Sequence, residues 1–271
     1  MSQPRILVSN DDGIFSKGIR TLVEELEKLG HVDVVAPNTQ QSAVGHALTV
    51  AVPLRIERHE HNNKFFGWAV NGTPADCVKL AARQILPYKP DILVSGINHG
   101  RNTAISLVYS GTVSGATEGT MLGIPSVAVS LDDFSPEADF SAAAKFAKRI
   151  AEQVLERGLP PGVLLNVNVP ALAEEEIRGI RVVPQGESYW DDRYDERVDP
   201  MERTYYWLHG DYVMVGEESD DHVLNDGFVS ITPIHYRLTD EEMLLELRSW
   251  DFQDSNSSSS KSLPLDISRE G

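Results

Sequence analysis

Arg5-Ile6-Leu7-Val8-Ser9-Asn10-Asp11-Asp12-Gly13 is an apolar run that stops abruptly at two adjacent acids and a glycine. Ile6, Leu7 and Val8 show no polar alternation, the pattern of a strand buried on both faces in a parallel sheet covered by helices. Ligands of such sheets bind beyond the carboxyl ends of the strands, where Asp11 and Asp12 stand, and Gly13 lets the backbone turn sharply there. Adjacent carboxylates repel unless a positive charge separates them. A hard divalent cation with oxygen ligands, Mg2+ or Mn2+, one per subunit, suits the pair because no thiolate or histidine cluster stands nearby in the sequence. Taken alone, the pair equally suits the start of a loop or the cap of the next helix.

Working outward, Ile19, Leu22, Val23, Leu26 and Leu29 recur at helical spacing, Gly30 is placed to end that helix, and residues 32–36 read as a second strand. Strand, helix and strand of this length make a right-handed βαβ unit with both strands parallel in one sheet. The polar loop 37–49, with Ser42, Gly45, His46 and Thr49, then falls beside the acidic end of the first strand. Residues 50–57 and 64–70 read as strands joined by His59-Glu60-His61-Asn62-Asn63, a solvated hairpin tip in preference to a metal site. Gly72-Thr73-Pro74-Ala75-Asp76 is a helix start, with a capping hydroxyl, proline at the first helical position and an acid where a capping box needs one. That helix is expected to run to about Leu86, before Pro87 and Pro90. Ile92-Leu93-Val94 is another buried strand, and a second functional loop is expected to begin at Ser95-Gly96-Ile97-Asn98. A strand over 126–130, an amphipathic helix over 139–155 and a strand over 163–169 complete an α/β catalytic core spanning residues 1–170, a mainly parallel sheet flanked by helices.

Beyond Pro170 the texture changes to alternating apolar residues, an acid-rich stretch over 191–199 and the aromatics Tyr205, Tyr206 and Trp207. Residues 171–253 are therefore expected to form hairpins and an arm that complete the fold and build an oligomer interface, with a late strand over 227–234. Residues 254–271 are Ser-rich and carry too little apolar content to fold, so they read as a disordered tail. No internal repeat is present.

The chain of 271 residues has 24 Lys plus Arg against 41 Asp plus Glu, a net charge of -17, which argues against a duplex nucleic acid or anionic membrane partner. An anionic substrate would need local help from a metal ion, a helix N-terminus or backbone amides. Cys77 is the only cysteine, a small buried helix residue on this reading. It allows no intrachain disulfide and points to a reducing, cytoplasmic compartment. The N-terminus runs straight into the first strand without an apolar signal region, and no run is long enough to span a bilayer.

Loops 10–13, 41–49 and 95–115 each follow a strand at its carboxyl end and converge on one edge of the sheet. Asp11 and Asp12 could offer carboxylates, Ser42 a hydroxyl and Asn98 an amide oxygen, all hard donors for one divalent ion. Ser110-Gly111-Thr112, leading to a helix N-terminus, would present amides and hydroxyls to a tetrahedral oxyanion, and Asn102 could add an amide donor. A metal beside a phosphate-shaped nest is the equipment of a phosphoryl hydrolase. Singly, Ser42 suits a turn, Asn98 a loop's own backbone, and Ser110 to Thr112 a helix cap. Glu118 falls on the following helix, facing solvent or supporting the site, and His46 is an acid or base by type but an ordinary polar loop residue by position.

Together, four ordered blocks resemble the survival protein SurE family: Ser9-Asn10-Asp11-Asp12-Gly13, Asn71-Gly72-Thr73-Pro74 with Asp76-Cys77-Val78, Ser95-Gly96-Ile97-Asn98 with Gly100 and Asn102, and Tyr109-Ser110-Gly111-Thr112-Val113-Ser114-Gly115-Ala116 with Glu118-Gly119. The resemblance extends from about Arg5 to Thr239 and includes Asn166-Val167-Asn168-Val169-Pro170 and Ile231-Thr232-Pro233-Ile234-His235. It implies a metal-dependent 5'-nucleotidase, often also acting on 3'-nucleotides and sometimes on short polyphosphate. Asp11, Asp12, Ser42 and Asn98 match the metal-ligand positions; Asn102, Ser110, Gly111 and Thr112 match the phosphate side. Ser42-Ala43-Val44-Gly45-His46 departs from the family pattern, which often has Ser-Gly and a shorter polar residue in place of the histidine. The implied fold is a Rossmann-like core with a swapped C-terminal arm in a homodimer or homotetramer.

Two other functions compete. A phosphorylation-receiver regulator also ends its first strand in paired acids that hold Mg2+, but needs an acceptor aspartate at a later strand end, and Val94 is followed by Ser95-Gly96-Ile97-Asn98. A haloacid-dehalogenase-type phosphatase separates its two aspartates by one residue, and here they are adjacent. Dinucleotide binding is weaker still, since neither a G-x-G-x-x-G nor a Walker-type loop is present.

Overall fold

β1 (Arg5–Ser9) is buried from Ile6 onward and sends its side chains alternately into two cores, Ile6 and Val8 to one face and Leu7 to the other. The computed structural model describes residues 3–252. α1 (Lys17–Leu26), capped by Ser16, lays Ile19, Leu22, Val23 and Leu26 against the Ile6 and Val8 side. The chain returns through β2 (His31–Pro37), parallel to β1 with Val34 beside Val8, which completes the expected βαβ unit. Each fully buried Leu, Ile or Val of this kind contributes about 1.5–3 kcal/mol.

β3 (Ile56–His61) and β4 (Lys64–Val70) form an antiparallel hairpin. Its tip is Asn62-Asn63 alone, both at positive φ (52° and 60°) as a two-residue turn requires. The strand expected from residue 50 begins only at Ile56, and His59 and His61 lie on β3 instead of at the tip. His59 packs edge-on against Phe15 and Phe66, with ring centroids 4.6 and 5.9 Å away. α2 (Pro74–Leu80) has the expected capping box: Thr73 N–H donates to Asp76 Oδ2 at 2.9 Å and Asp76 N–H to Thr73 Oγ1 at 3.1 Å. It gives way to a π-helical turn over Ala81–Ile85 instead of continuing as α-helix to Leu86.

β5 (Ile92–His99) is longer than its apolar run, because its pairing register shifts between Ser95 and Asn98 without ending the strand. Residues 95–98, expected to open a loop, thus carry Asn98 along the strand to its carboxyl end. α3 (Ser106–Tyr109) and α4 (Gly111–Met121) lead to β6 (Ser126–Asp132), then α5 (Ser141–Arg157) and β7 (Val163–Pro170). Beyond β7 come β8 (Ile180–Val182), the long pair β9 (Tyr189–Val198) and β10 (Thr204–Val213), α6 (Asp220–Asn225) and β11 (Val229–His235).

The main sheet runs β3-β4-β2-β1-β5-β6-β7-β11-β8, with antiparallel pairing only at β3–β4 and β7–β11. The chain winds outward from β1 to β2 and then crosses back to β5 on the other side of β1. The order therefore reverses between β1 and β5, and the crevice at such a switch point is where α/β sheets bind ligands. α1 and α5 cover one face; Cys77, Val78 and Ala81 and, separately, Val113 and Ala116 of α4 pack in cores on the other. β9 and β10 stand apart as a two-stranded sheet of their own. The chain divides into a compact unit through Tyr236 and a short second unit from Arg237, in which Asp240 caps α7 (Glu241–Leu247). The tail expected to be disordered lies outside the described residues, and no described helix is long and apolar enough to cross a membrane.

Candidate active site

The end of β1 is held in place before any ligand is considered. Asn10 Nδ2 donates to Gly13 O at 3.0 Å and to Ser16 Oγ at 2.9 Å, fixing the turn to the start of α1. Asp11 O accepts from Gln41 N–H at 2.7 Å, which brings the Ser42 loop to the strand end. That loop is fastened further on: Gly45 N–H donates to Tyr109 O, Ala47 O accepts from Thr73 Oγ1, and Thr49 N–H donates to Asp76.

Asp11 is 6% exposed, and its Oδ1 accepts the hydroxyl hydrogen bond of Thr112. Gly111 stands so close above the carboxylate that a Cβ there would lie 2.7 Å from Asp11 Cβ and 2.9 Å from Oδ2, so the approach requires glycine. Ser110 Oγ accepts from Val113 N–H at 3.1 Å and caps α4, whose N-terminus thus bears on Asp11. Burial pushes the Asp11 carboxyl up from 3.8 to about 6; the Thr112 hydrogen bond opposes that shift and the neighbouring Asp12 adds to it. Burial also raises Asp12, against hydrogen bonds from His99 N–H at 3.0 Å and Gln40 Nε2 at 3.3 Å. Among the described residues no lysine or arginine pairs with either carboxylate.

Asn98 Nδ2 donates to Gly100 O at 2.8 Å, which satisfies the loop backbone and orients the side-chain amide. Asn102 is fixed on three sides. Its N–H donates to Asn168 Oδ1 at 2.7 Å, its carbonyl accepts from Asn166 Nδ2 at 2.8 Å, and its own Nδ2 donates to Ser130 Oγ at 2.9 Å. Ala104, at φ 49°, donates its N–H to the buried Asp220 carboxylate at 3.0 Å, and Asp220 also accepts from Gly186 N–H at 2.9 Å. Asn166, Asn168 and Asp220 therefore shape the site without facing it. The signal for the asparagines was present in the sequence as two amides at alternate positions of an otherwise apolar strand.

Asp11, Asp12, Ser42, Asn98, Asn102 and Ser110 line one cleft of about 940 Å³. Gly111 and Thr112 stand behind it, with the Thr112 hydroxyl turned to Asp11. Arg101 also lines the cleft, but its guanidinium is forked onto Asp132 at 2.7 and 2.5 Å and bonded to Asn225 at 2.9 Å, so its charge is already matched. Glu118 does not face solvent: it is 2% exposed, with His46 Nε2 at 3.0 Å and Lys79 Nζ at 2.5 Å. Burial alone would raise its carboxyl, and those two partners outweigh it and hold it below its usual range.

The donor chemistry fits a hard cation. Two desolvated carboxylates sit side by side with neutral oxygen donors in the same cleft, and the described residues offer no cluster of three or more His, Cys, Asp or Glu that would favour a softer metal.

Fold and cleft together define a doubly wound α/β protein whose switch point carries paired, desolvated carboxylates beside the N-terminus of a helix. The family profile described as Survival protein SurE matches residues 6–192. A 5'-nucleotidase SurE of Christiangramia forsetii is 47% identical over 256 residues, covering 93% of this chain and 98% of the relative. One of Syntrophobacter fumaroxidans is 48% identical over 249 residues, 91% and 99% of the two chains. The crystal structure of the SurE protein from Aquifex aeolicus shares the fold with a TM-score of 0.79 at 42% identity, over 90% of this chain and 98% of that one. The chain belongs to the SurE family.

Proposed function

We propose that this protein is a metal-dependent 5'-nucleotidase, a phosphomonoesterase that hydrolyses nucleoside 5'-monophosphates to nucleoside and phosphate. The observation that carries the reading is the meeting of paired, desolvated carboxylates with the capped N-terminus of α4 at the β1–β5 switch point. Asp11, Asp12, Ser42 and Asn98 would hold the cation, Mg2+ or Mn2+. When bound, such an ion neutralises phosphate charge and acidifies water. Thr112 and Gly111 set the Asp11 carboxylate, one by a hydrogen bond and the other by leaving room. Asn102 and Ser110 orient the phosphate beside the α4 N-terminus, which supplies positive potential that a chain of net charge -17 otherwise lacks. Water attacks phosphorus, the ester P–O bond breaks, and the nucleoside leaves with its 5'-oxygen protonated.

The relatives' shared name agrees with this reading, which further extends to 3'-monophosphates and short polyphosphate as additional substrates. The exposed β9–β10 hairpin is the proposed contact between subunits of a homodimer or homotetramer. A two-stranded ribbon is marginal alone in water, and this one leaves Tyr194, Val198, Tyr206 and Trp207 exposed. The test of function is a turnover screen over nucleoside 5'- and 3'-monophosphates, polyphosphate and simple phosphate esters with Mg2+ or Mn2+ present. Hydrolysis of 5'-monophosphates that stops in chelator is the expected result. No turnover of any phosphate ester at any metal level would instead favour a receiver-like regulator.

A further inference from the structure

The reaction proposed above uses only the floor of the cleft, yet the cleft continues to a mouth lined by large apolar side chains. Tyr109 and Phe134 stand on the core side, and Trp190 and Leu208 come from the hairpin. They are 60, 68, 48 and 56% exposed, a concentration of exposed apolar surface at the entrance of a polar site. Such patches on soluble proteins mark binding surfaces.

The hairpin register shows how its side of the mouth is built. Trp190 pairs with Tyr212, Asp192 with Gly210 and Tyr194 with Leu208. Directly opposed residues, and alternate residues along each strand, project from the same face, so these three pairs share one face. The middle pair has a side chain on one strand only. Gly210 is required because the two strands approach closely there, a Cβ lying 2.7 Å from Asp191 O, and Trp190 with Tyr212 and Leu208 with Tyr194 stand on either side of it. Trp190, Asp192, Leu208 and Gly210 line the cleft, as do Tyr189 and His209 of the other face, so the ribbon borders the cleft with residues of both faces.

Both sides of the mouth are held. The Tyr212 ring packs edge-on against the Trp190 indole at 5.4 Å, and its hydroxyl donates to Asp221 Oδ2 at 3.2 Å. At the base of the ribbon, Val215 N–H donates to Ser188 Oγ at 2.9 Å, and Gln185 Nε2 reaches Ala104 O at 2.9 Å. Opposite, the Phe134 ring lies so close over Gly100 (φ +104°) that a Cβ there would fall 2.3 Å from it. An aromatic mouth of this kind is suited to a planar ligand. Stacking, unlike charge pairing, needs no basic residue and tolerates any base.

We infer that the mouth is a nucleobase subsite in which the base of the substrate stacks on Trp190 while its phosphate rests on the floor. The inference rests on the phosphomonoesterase reading above. Trp190 is then a specificity-determining residue: it contributes to capture of the nucleoside and nothing to bond cleavage. Purine monophosphates, with the larger ring, gain more from it than pyrimidine monophosphates.

Ribose 5-phosphate separates the two parts of the site, because it carries the same phosphate ester without a base. Steady-state kinetics of the metal-replete parent, Trp190→Ala and Trp190→Leu are compared on adenosine 5'-monophosphate and ribose 5-phosphate. Both variants should lower kcat/KM on the nucleotide about tenfold, mainly through KM, and leave ribose 5-phosphate within about twofold of the parent. Trp190→Phe should recover most of the nucleotide activity. Unchanged nucleotide kinetics would overturn the subsite, as would equal losses on both substrates in the Leu variant, which keeps apolar bulk on the ribbon. A parent that turned over neither substrate would overturn the phosphomonoesterase reading itself, and the subsite with it.

Discussion

Asp11 at the cleft floor is 6% exposed, and hangs from a strand with hydrogen-bonded neighbours on both sides; Tyr194, on the ribbon above it, is 67% exposed and belongs to a sheet of only two strands. The floor is positioned by burial. Strand ends, the Ser42 loop and the start of α4 meet there because the apolar faces beneath them have one way to pack. The ribbon is positioned by its own ladder and a few contacts at its base, so both of its faces are free to mix charged and aromatic residues. On our proposal the chemistry belongs to the buried floor, and substrate grip and subunit contact to the exposed ribbon.

Gly111→Ala should produce a large effect for the addition of a single methyl group to the floor. The added methyl would lie 2.7 Å from Asp11 Cβ, and displacing the carboxylate by even a fraction of an ångström should lower kcat/KM about a hundredfold. The melting temperature should fall by only a few degrees. Full activity in this variant would show that the floor is not as closely fixed as its packing indicates.

A milder outcome is expected at the ribbon. Replacing residues 193–209 with Asn-Gly keeps the Asp192 and Gly210 pair and closes it with a favourable hairpin turn. Turnover of ribose 5-phosphate should stay within about threefold and the melting temperature within about 5 °C, while light scattering should show a smaller assembly. Loss of the core fold, or an unchanged mass, would erase the distinction between the two regions.

The same division decides how much could be read from the sequence. The two-sided burial of Ile6 to Val8, the acids that follow and the Thr73 to Asp76 capping box are local patterns, and the structure contains each of them. Thr112 is different. Its position suggests a phosphate-side residue, and its hydroxyl also donates to Asp11, a partner 101 residues away that no local pattern names. The sequence reads Asn98 as the start of a loop after the Ile92-Leu93-Val94 run, whereas a register shift between Ser95 and Asn98 lets β5 continue through it. The roles of Asn166, Asn168 and Asp220 in holding the 102–104 segment likewise depend on long-range pairing. No local pattern marks Trp190, which reaches the cleft only through the fold.

The central claim is that Asp11 and Asp12 are a desolvated pair kept for a divalent cation. It is tested most directly by melting the parent and Asp11→Asn across pH, in chelator and in Mn2+, with turnover measured on the same samples. Folding raises the Asp11 carboxyl from 3.8 to about 6, so the folded state binds that proton more tightly than the unfolded one. In chelator this contribution should favour the fold most at low pH, decline as pH rises from about 4 to 6, and remain lost above. The loss is on the order of 1–3 kcal/mol. At pH 7.5 without metal, Asp11→Asn should therefore melt higher than the parent; Mn2+ should raise the parent far more than the variant and support turnover only in the parent. A parent indifferent to Mn2+, or hydrolysis of a nucleoside monophosphate undiminished in chelator or in Asp11→Asn, would contradict the account.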